Sequence, residues 1–542
     1  MHRLTRTLTL LLLPFGLVWA NSPNIVYIMA DDLGIGDVKC YGGDRCKIET
    51  PALDSLARDG MLFTDAHAVA SVCVPSRIGI MTGRYAWRFA KPAKSGPWGF
   101  LNPQLPVGTF TIGSMLQGAG YRTGYVGKWH LGTVMRTTDG LNQGPDNVNY
   151  DLPLEIGPND YGFDYSFVLP GSLDMYPYVF AKNGHFQGKV TARKGWSAFN
   201  RVGPAAEDFE DYKVLDEFAR EAEGFIERNA EQARNGKPFF LYVALTSPHT
   251  PTSPSPAFEG TSDLGLYGDF VRETDATVGR VLDAIDANGL TESTFVIATS
   301  DHGAAPYAGN KRAAIPGLIR ELEKLGHYSS GIYRGYKFTV FEGGLRVPLL
   351  VRWPGTVDAG SRCDRLVGLI DISATLADIT GVELNTGEAP DSISFAALLE
   401  DPRGAARRVS LVMQSPLAFA LRHERWKLAL TPASGSRGLW GTRPEPEQAW
   451  KGALEKFGSR PSETDLRKAP FVQLFDLESD VRESTNLAFE RPEIAERLAH
   501  ILDATIERGR STPGPALRND VPTVGLHRNA RPWLETFVGE PQ

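Results

Sequence analysis

A cysteine opens the stretch Ser71-Val72-Cys73-Val74-Pro75-Ser76-Arg77-Ile78-Gly79-Ile80-Met81-Thr82-Gly83-Arg84. Pro75 suits the first turn of a helix, where its missing N–H costs nothing. Cys73 then sits at a helix N-terminus, whose free N–H groups and macrodipole favour an anion. Arg77 follows about one turn on, within reach to fork onto the same anion. The other reading of this stretch is a buried cysteine at an ordinary helix start, a common place for a free thiol.

More chemistry-bearing residues close short apolar runs. Asn24 to Ala30 is a β-branched run that ends in Asp31-Asp32. Adjacent carboxylates repel unless a cation sits between them, and hard oxygen ligands point to calcium or magnesium; a solvated turn before Leu33-Gly34 is the alternative. Lys128 and His130 follow the run that begins at Tyr121. His249 lies in Thr246-Ser247-Pro248-His249-Thr250-Pro251, after Pro238 to Leu245. Asp301-His302 follow Thr294 to Thr299. Lys337 is embedded among aromatics and glycines from Gly326 onward, ahead of Glu342-Gly343-Gly344. Each of these has an ordinary role as a turn residue or a satisfied histidine. Their recurrence at the same end of successive runs argues for a shared site.

Those runs read as strands buried on both faces. Helical periodicity lies between them, roughly Asp211 to Asn235 and Phe270 to Asn288, and Thr50-Pro51 opens another helix with a capping threonine. Strands alternating with helices predict a doubly wound, mainly parallel sheet, in which ligands bind beyond the carboxyl ends of the strands. Further helices are expected over Asp371 to Ile379 and Arg491 to Arg508, and a strand over Arg422 to Leu430.

Cys73-Val74-Pro75-Ser76-Arg77 resembles the Cys-x-Pro-Ser-Arg signature of the type I, formylglycine-dependent sulfatases, the arylsulfatase and N-acetylgalactosamine-6-sulfatase group of the alkaline phosphatase superfamily. The resemblance spans roughly Asn24 to Gly355. It implies an α/β fold, a large mixed, mainly parallel sheet flanked by helices, with a smaller C-terminal α+β subdomain. It implies that Cys73 is oxidised to formylglycine by a formylglycine-generating enzyme and that Asp31, Asp32, Asp301 and His302, with position 73, hold a calcium ion. His302 stands where the family often has asparagine. Arg77, Lys128, His130, His249 and Lys337 match its sulfate-binding and proton-transfer residues. The gap from His302 to Lys337 is long for the family, and Tyr333 to Lys337 followed by Glu342-Gly343-Gly344 restores the register.

The implied reaction is in-line attack on sulfur by a hydroxyl of hydrated formylglycine, proton donation to the leaving oxygen by His249 or Lys337, and expulsion of sulfate assisted by His130. The segment Gly171 to Val179 is similar to bacterial exported sulfatases related to the N-acetylgalactosamine-6-sulfatases. A sulfated galactose or N-acetylgalactosamine is therefore the expected substrate, with Asp174, Tyr176 and Arg334 lining its pocket. A phosphate or phosphonate ester hydrolase, or a catalytically silent sulfated-glycan-binding protein, are the alternatives.

Residues 1–20 read as a secretory signal: Arg3 and Arg6, an apolar core Leu8 to Leu13, and a small-residue end at Ala20. No later stretch is long and apolar enough to cross a bilayer, so an exported protein, periplasmic or secreted and without stable membrane insertion, is expected. Net charge is -7, or -9 once Arg3 and Arg6 are removed (55 Lys+Arg against 64 Asp+Glu). With no basic block, a nucleic-acid partner is not expected. Residues 21–395 are expected to form the catalytic domain, 396–510 a subdomain with a small antiparallel sheet, and 511–542 a tail. Four cysteines are too few for a disulfide scaffold; Cys40 and Cys46 are either a bridge or two thiols.

Overall fold

In the computed structural model the described residues are 22–90, 98–195, 200–308, 319–431, 434–436 and 472–521. The expected signal peptide and the tail beyond residue 521 lie outside them.

The central sheet contains β1 (Asn24–Asp31), β2 (Met61–Phe63), β3 (Arg122–Lys128), β4 (Tyr165–Leu169), β5 (Ala181–Lys182), β6 (His185–Phe186), β7 (Phe239–Pro248), β8 (Thr294–Ser300), β9 (Leu349–Arg352) and β10 (Ser361–Cys363). Their order is β10-β2-β9-β8-β1-β7-β3-β4-β5-β6. The middle is parallel: β1 pairs with β7 and β8, β7 with β3, and β3 with β4. Strand β9 runs antiparallel to β8 and β2, which makes the sheet mixed.

The sequence decides which face each side chain takes. Successive residues of a strand point to opposite faces, so Val26 and Ile28 join one apolar cluster while Ile25, Tyr27 and Met29 join the other. Helices α1 (Pro51–Arg58), α4 (Val214–Arg234) and α5 (Gly265–Ala287) cover the first face. Helices α2 (Cys73–Thr82), α3 (Ile112–Gly118) and α6 (Ile372–Thr380) cover the second. Helix α4 shows why: Val214, Leu215, Phe218, Ala222, Phe225 and Ile226 form one buried stripe at helical spacing.

Two local expectations are corrected. Thr50 does not cap α1. Its hydroxyl accepts from the Lys39 N–H at 2.9 Å. The free N–H groups of Ala52 and Leu53 instead donate to the Asp275 carboxylate of α5, at 3.0 and 2.8 Å. A full negative charge at a positive helix end outcompetes a hydroxyl. The expected single strand from Arg422 to Leu430 is two. β12 (Phe419–His423) turns at Glu424, which has φ 49, into β13 (Trp426–Ala429).

These strands, with β11 (Ser410–Gln414) and β14 (Gln473–Asp476), form a four-stranded antiparallel sheet. Leu498, Ala499 and Leu502 of α7 (Pro492–Glu507) pack on it, in a cluster that also holds Val340, Phe341 and Leu345. Beyond α7 the chain returns to the large sheet's helices, with Asp520 paired to Arg84 at 2.9 Å. Cys40, Cys46, Cys73 and Cys363 are free thiols. Among the described residues no helix is long and apolar enough to cross a membrane.

Candidate active site

Because β1 and β8 are parallel and in register, with Ala30 opposite Ser300, they end together. Asp31-Asp32 and Asp301-His302 therefore emerge side by side. The Asp301 N–H donates to the Ala30 carbonyl at 3.1 Å, which closes the last rung. Lys128 ends β3 and His249 follows β7 along the same edge. Helix α2 points its first residue, Cys73, at this edge. The helix ends at Gly83, which is left-handed at φ 61 and too close to Ala389 for a Cβ. Ser76 ties α2 to β8 by donating to the Asp301 carbonyl at 2.6 Å.

Cys73 Sγ lies 3.3 Å from His302 Nε2, 3.5 Å from Lys337 Nζ and 3.7 Å from Asp31 Oδ1. Lys128 donates to Asp31 at 2.5 Å, and Lys337 donates to Asp32 at 2.7 and 3.0 Å. Arg77 bridges Asp301 at 3.1 Å and Asp31 at 3.5 Å. His249 Nε2 lies 3.7 Å from Asp32 Oδ2, while its Nδ1 faces the Thr250 carbonyl at 2.5 Å. Every one of these side chains is buried. Asp32 and His130 hold positive φ, 65 and 53, a strained conformation of the kind that clusters at functional sites.

Charge is distributed unevenly. Burial opposes ionisation of Asp31, yet Lys128, His249 and Arg77 hold its carboxyl well below the usual range. Burial raises Asp32, and Lys337 and His249 do not fully offset it. Burial works against a charged His302, but Asp301 and Cys73 push it up to about 9. The Cys73 thiol is lowered: burial opposes its ionisation, and Lys128 and Lys337 outweigh it. Burial, then Lys128 and Arg77, hold His130 well below the usual histidine range, and its Nδ1 has no hydrogen-bond partner among the described residues.

Asp31, Cys73, Asp301 and His302 offer ligand atoms all within 4.8 Å of one another. Asp32 Oδ1 borders them, 3.4 Å from His302 Nε2. Three carboxylates and one imidazole fit a hard dication, which would displace the protons that Asp32 and His302 attract.

On the approach side, Asp174 pairs with Arg201 at 2.8 Å through Oδ2, and its Oδ1 has no hydrogen-bond partner among the described residues. Burial opposes its charge, but His249, Arg201 and Lys128 lower its pKa. Tyr176 tilts against Phe100, with ring centroids 5.4 Å apart, and lies over Gly203, where a Cβ would meet its ring at 2.1 Å. Arg334 is buried. Its guanidinium lies 3.8 Å from the Phe341 ring and donates to the Glu483 carbonyl at 2.6 Å. Sequence reasoning missed Arg201 and Tyr125. Tyr125 donates from its hydroxyl to the Lys128 carbonyl at 2.7 Å. Neither carries a motif signal. The Ser76 contact was within the quoted motif, but its partner was not legible.

The family model for sulfatases matches residues 23–382. The chain belongs to the sulfatase family. This sulfatase is 32% identical to an N-acetylgalactosamine-6-O-sulfatase of Bacteroides thetaiotaomicron over 90% of this chain and 94% of the relative. It is 31% identical to the steryl-sulfatase of Mus musculus over 95% of this chain and 86% of that one. A solved Bacteroides thetaiotaomicron sulfatase, described with the metabolism of multiple glycosaminoglycans, superposes with a TM-score of 0.74 at 30% identity, covering 90% of this chain and 99% of that one. A phosphonate monoester hydrolase of Silicibacter pomeroyi shares the fold at a TM-score of 0.54 and 18% identity, covering 89% of this chain and 94% of that one. The sulfatase is a sulfuric ester hydrolase with an alkaline-phosphatase-like fold.

Proposed function

We propose that this enzyme removes sulfate from a galactose or N-acetylgalactosamine unit of a polysaccharide, after export, using formylglycine made from Cys73 and a calcium ion. The observation that carries the reading is the placement of Cys73 Sγ at the head of α2, between Lys337 and the acidic ends of β1 and β8. The names of the bacterial relatives support the sugar class. Calcium, held by Asp31, Asp32, Asp301 and His302 with position 73, would supply a Lewis acid that lowers the pKa of the nucleophile. Formylglycine, as its hydrate, would supply an oxygen nucleophile and a way to release sulfate.

The chain's own residues do the rest. Arg77, Lys128 and Lys337 neutralise charge on the sulfate oxygens. His249, with Nδ1 on the Thr250 carbonyl, presents Nε2 to the leaving oxygen and donates a proton there; the negative charge of bound sulfate raises its pKa toward that task. His130, kept neutral by burial and Lys128, accepts a proton beside position 73. Asp174 and Tyr176 line the approach for the sugar.

A panel of defined sulfated oligosaccharides, with an aryl sulfate and an aryl phosphate, tests this. Desulfation of a galactose or N-acetylgalactosamine unit supports the reading. Turnover of aryl phosphate in preference to aryl sulfate, or glycan binding without turnover, would overturn it.

A further inference from the structure

Glu342 and Glu483 lie 141 residues apart in the chain and meet around one ammonium. Lys427 Nζ is 2.9 Å from Glu342 Oε1 and 2.8 Å from Glu483 Oε1, and all three side chains are at most 1% exposed. Glu483 Oε2 accepts the Glu342 N–H at 2.7 Å. The Glu483 carbonyl accepts from the Arg334 guanidinium at 2.6 Å. Thus both ends of the segment from Arg334 to Glu342 are anchored on one residue, and Lys337 lies between them. The Gly343 N–H donates to the Arg334 carbonyl at 2.6 Å and closes the segment on itself. Within it, the Lys337 N–H donates to Ala304 at 2.8 Å and the Phe338 N–H to Ser71 at 2.8 Å.

Two features set this apart from an ordinary structural ion network. A buried ion triad is often no more stable than a well-packed apolar one, so stability alone is a weak reason for it. Glu483 and Phe338 also hold positive φ, 53 and 75, a strained backbone that persists only where surrounding contacts over-determine it. The strained residues sit at the anchor and beside the lysine that it serves.

We propose that Glu483 is a positioning residue for Lys337, holding its ammonium between Asp32 and position 73 from the C-terminal region. The proposal rests on Lys337 acting on the sulfate, as above.

The test is steady-state kinetics on an aryl sulfate, with melting temperatures, for Glu483→Gln, Lys337→Ala, the double variant, and Leu498→Ala. Leu498→Ala destabilises the same apolar cluster from α7, outside the segment and its hydrogen-bonded anchors. Arg334→Met, which cuts the second tether, stands in if Glu483→Gln does not fold. A misplaced catalytic group commonly costs ten- to a hundredfold. Glu483→Gln is expected to lower kcat about tenfold, move KM by less than about twofold, and lower kcat no further in the Lys337→Ala background. An equal fractional loss in both backgrounds, or a loss no greater than in Leu498→Ala, overturns the positioning role while leaving Lys337 catalytic. Wild-type kcat in Lys337→Ala would sink the catalytic reading of Lys337 and this proposal with it.

Discussion

Lys128 Nζ and Asp31 Oδ2 lie 2.5 Å apart, and neither side chain has any exposed surface. Such a pair is strongly destabilising to break, because the surviving charge stays buried. In Lys128→Met, Asp31 would keep Arg77, at 3.5 Å, as its paired cation among the described residues. Denaturant titration in chelator should show a loss of about 3 kcal/mol. With excess calcium the loss should shrink, since a dication at Asp31 replaces the ammonium. The same loss in both buffers would count against calcium at this carboxylate. Chelation should also abolish turnover, with recovery on adding calcium; stoichiometric zinc in active enzyme would contradict the ligand set.

Cys73 supplies the second prediction. Its thiol is held low, because Lys128 and Lys337 outweigh burial, so in immature protein a small alkylating reagent should react there faster than at Cys46 and Cys363, whose equally buried thiols are raised by burial. Active protein should resist alkylation and show, in the peptide that spans Cys73, the mass of an aldehyde in place of the thiol. Full turnover by protein with an intact Cys73 thiol would falsify the formylglycine mechanism.

The two histidines divide the third prediction. A general acid matters most when the leaving alcohol is poor. His249→Ala should therefore cripple hydrolysis of a sugar sulfate far more than that of a nitrophenyl sulfate. His130→Ala should slow both and allow sulfated enzyme to accumulate, read by intact mass after a quench. Equal losses on both substrates, with nothing trapped in either variant, would reverse these assignments.

Stability against pH gives the fourth. His130 is held well below 6.5 by burial first, then by Lys128 and Arg77. Between its folded and unfolded values the unfolded chain binds the extra proton, so stability rises with pH in that window. The contribution is complete above 6.5 and is lost as pH falls through the folded value. Chelated enzyme should therefore lose stability from about pH 7 to about pH 5, by up to about 1.4 kcal/mol per unit for each such histidine. His249, also lowered by burial, acts in the same direction. His130→Asn should flatten the profile; an unchanged slope would place the titration elsewhere.

The local features of this chain are legible from its residues. Continuous β-branched runs specify strands covered on both faces, and chemistry collected at their carboxyl ends follows from parallel winding. Asp31, Lys128, His249 and Asp301 could be read as neighbours before any distance was known, because each ends or follows such a run. The Cys73 to Arg77 motif is likewise a contiguous signal at a helix start.

Tertiary structure decided whatever depends on distant partners. Asp275, not Thr50, meets the first N–H groups of α1, because a carboxylate from α5 arrives only when the helices pack. Glu424 turns an apparently continuous strand into a hairpin, a change that periodicity does not register. Arg334 reads in sequence as a pocket residue, and only packing brings its guanidinium to the Glu483 carbonyl. Lys427, Glu342 and Glu483 come from three separated segments, and no spacing along the chain pairs them. Spacing along a chain encodes which face a side chain takes, but which distant charge will stand opposite it is settled only by packing.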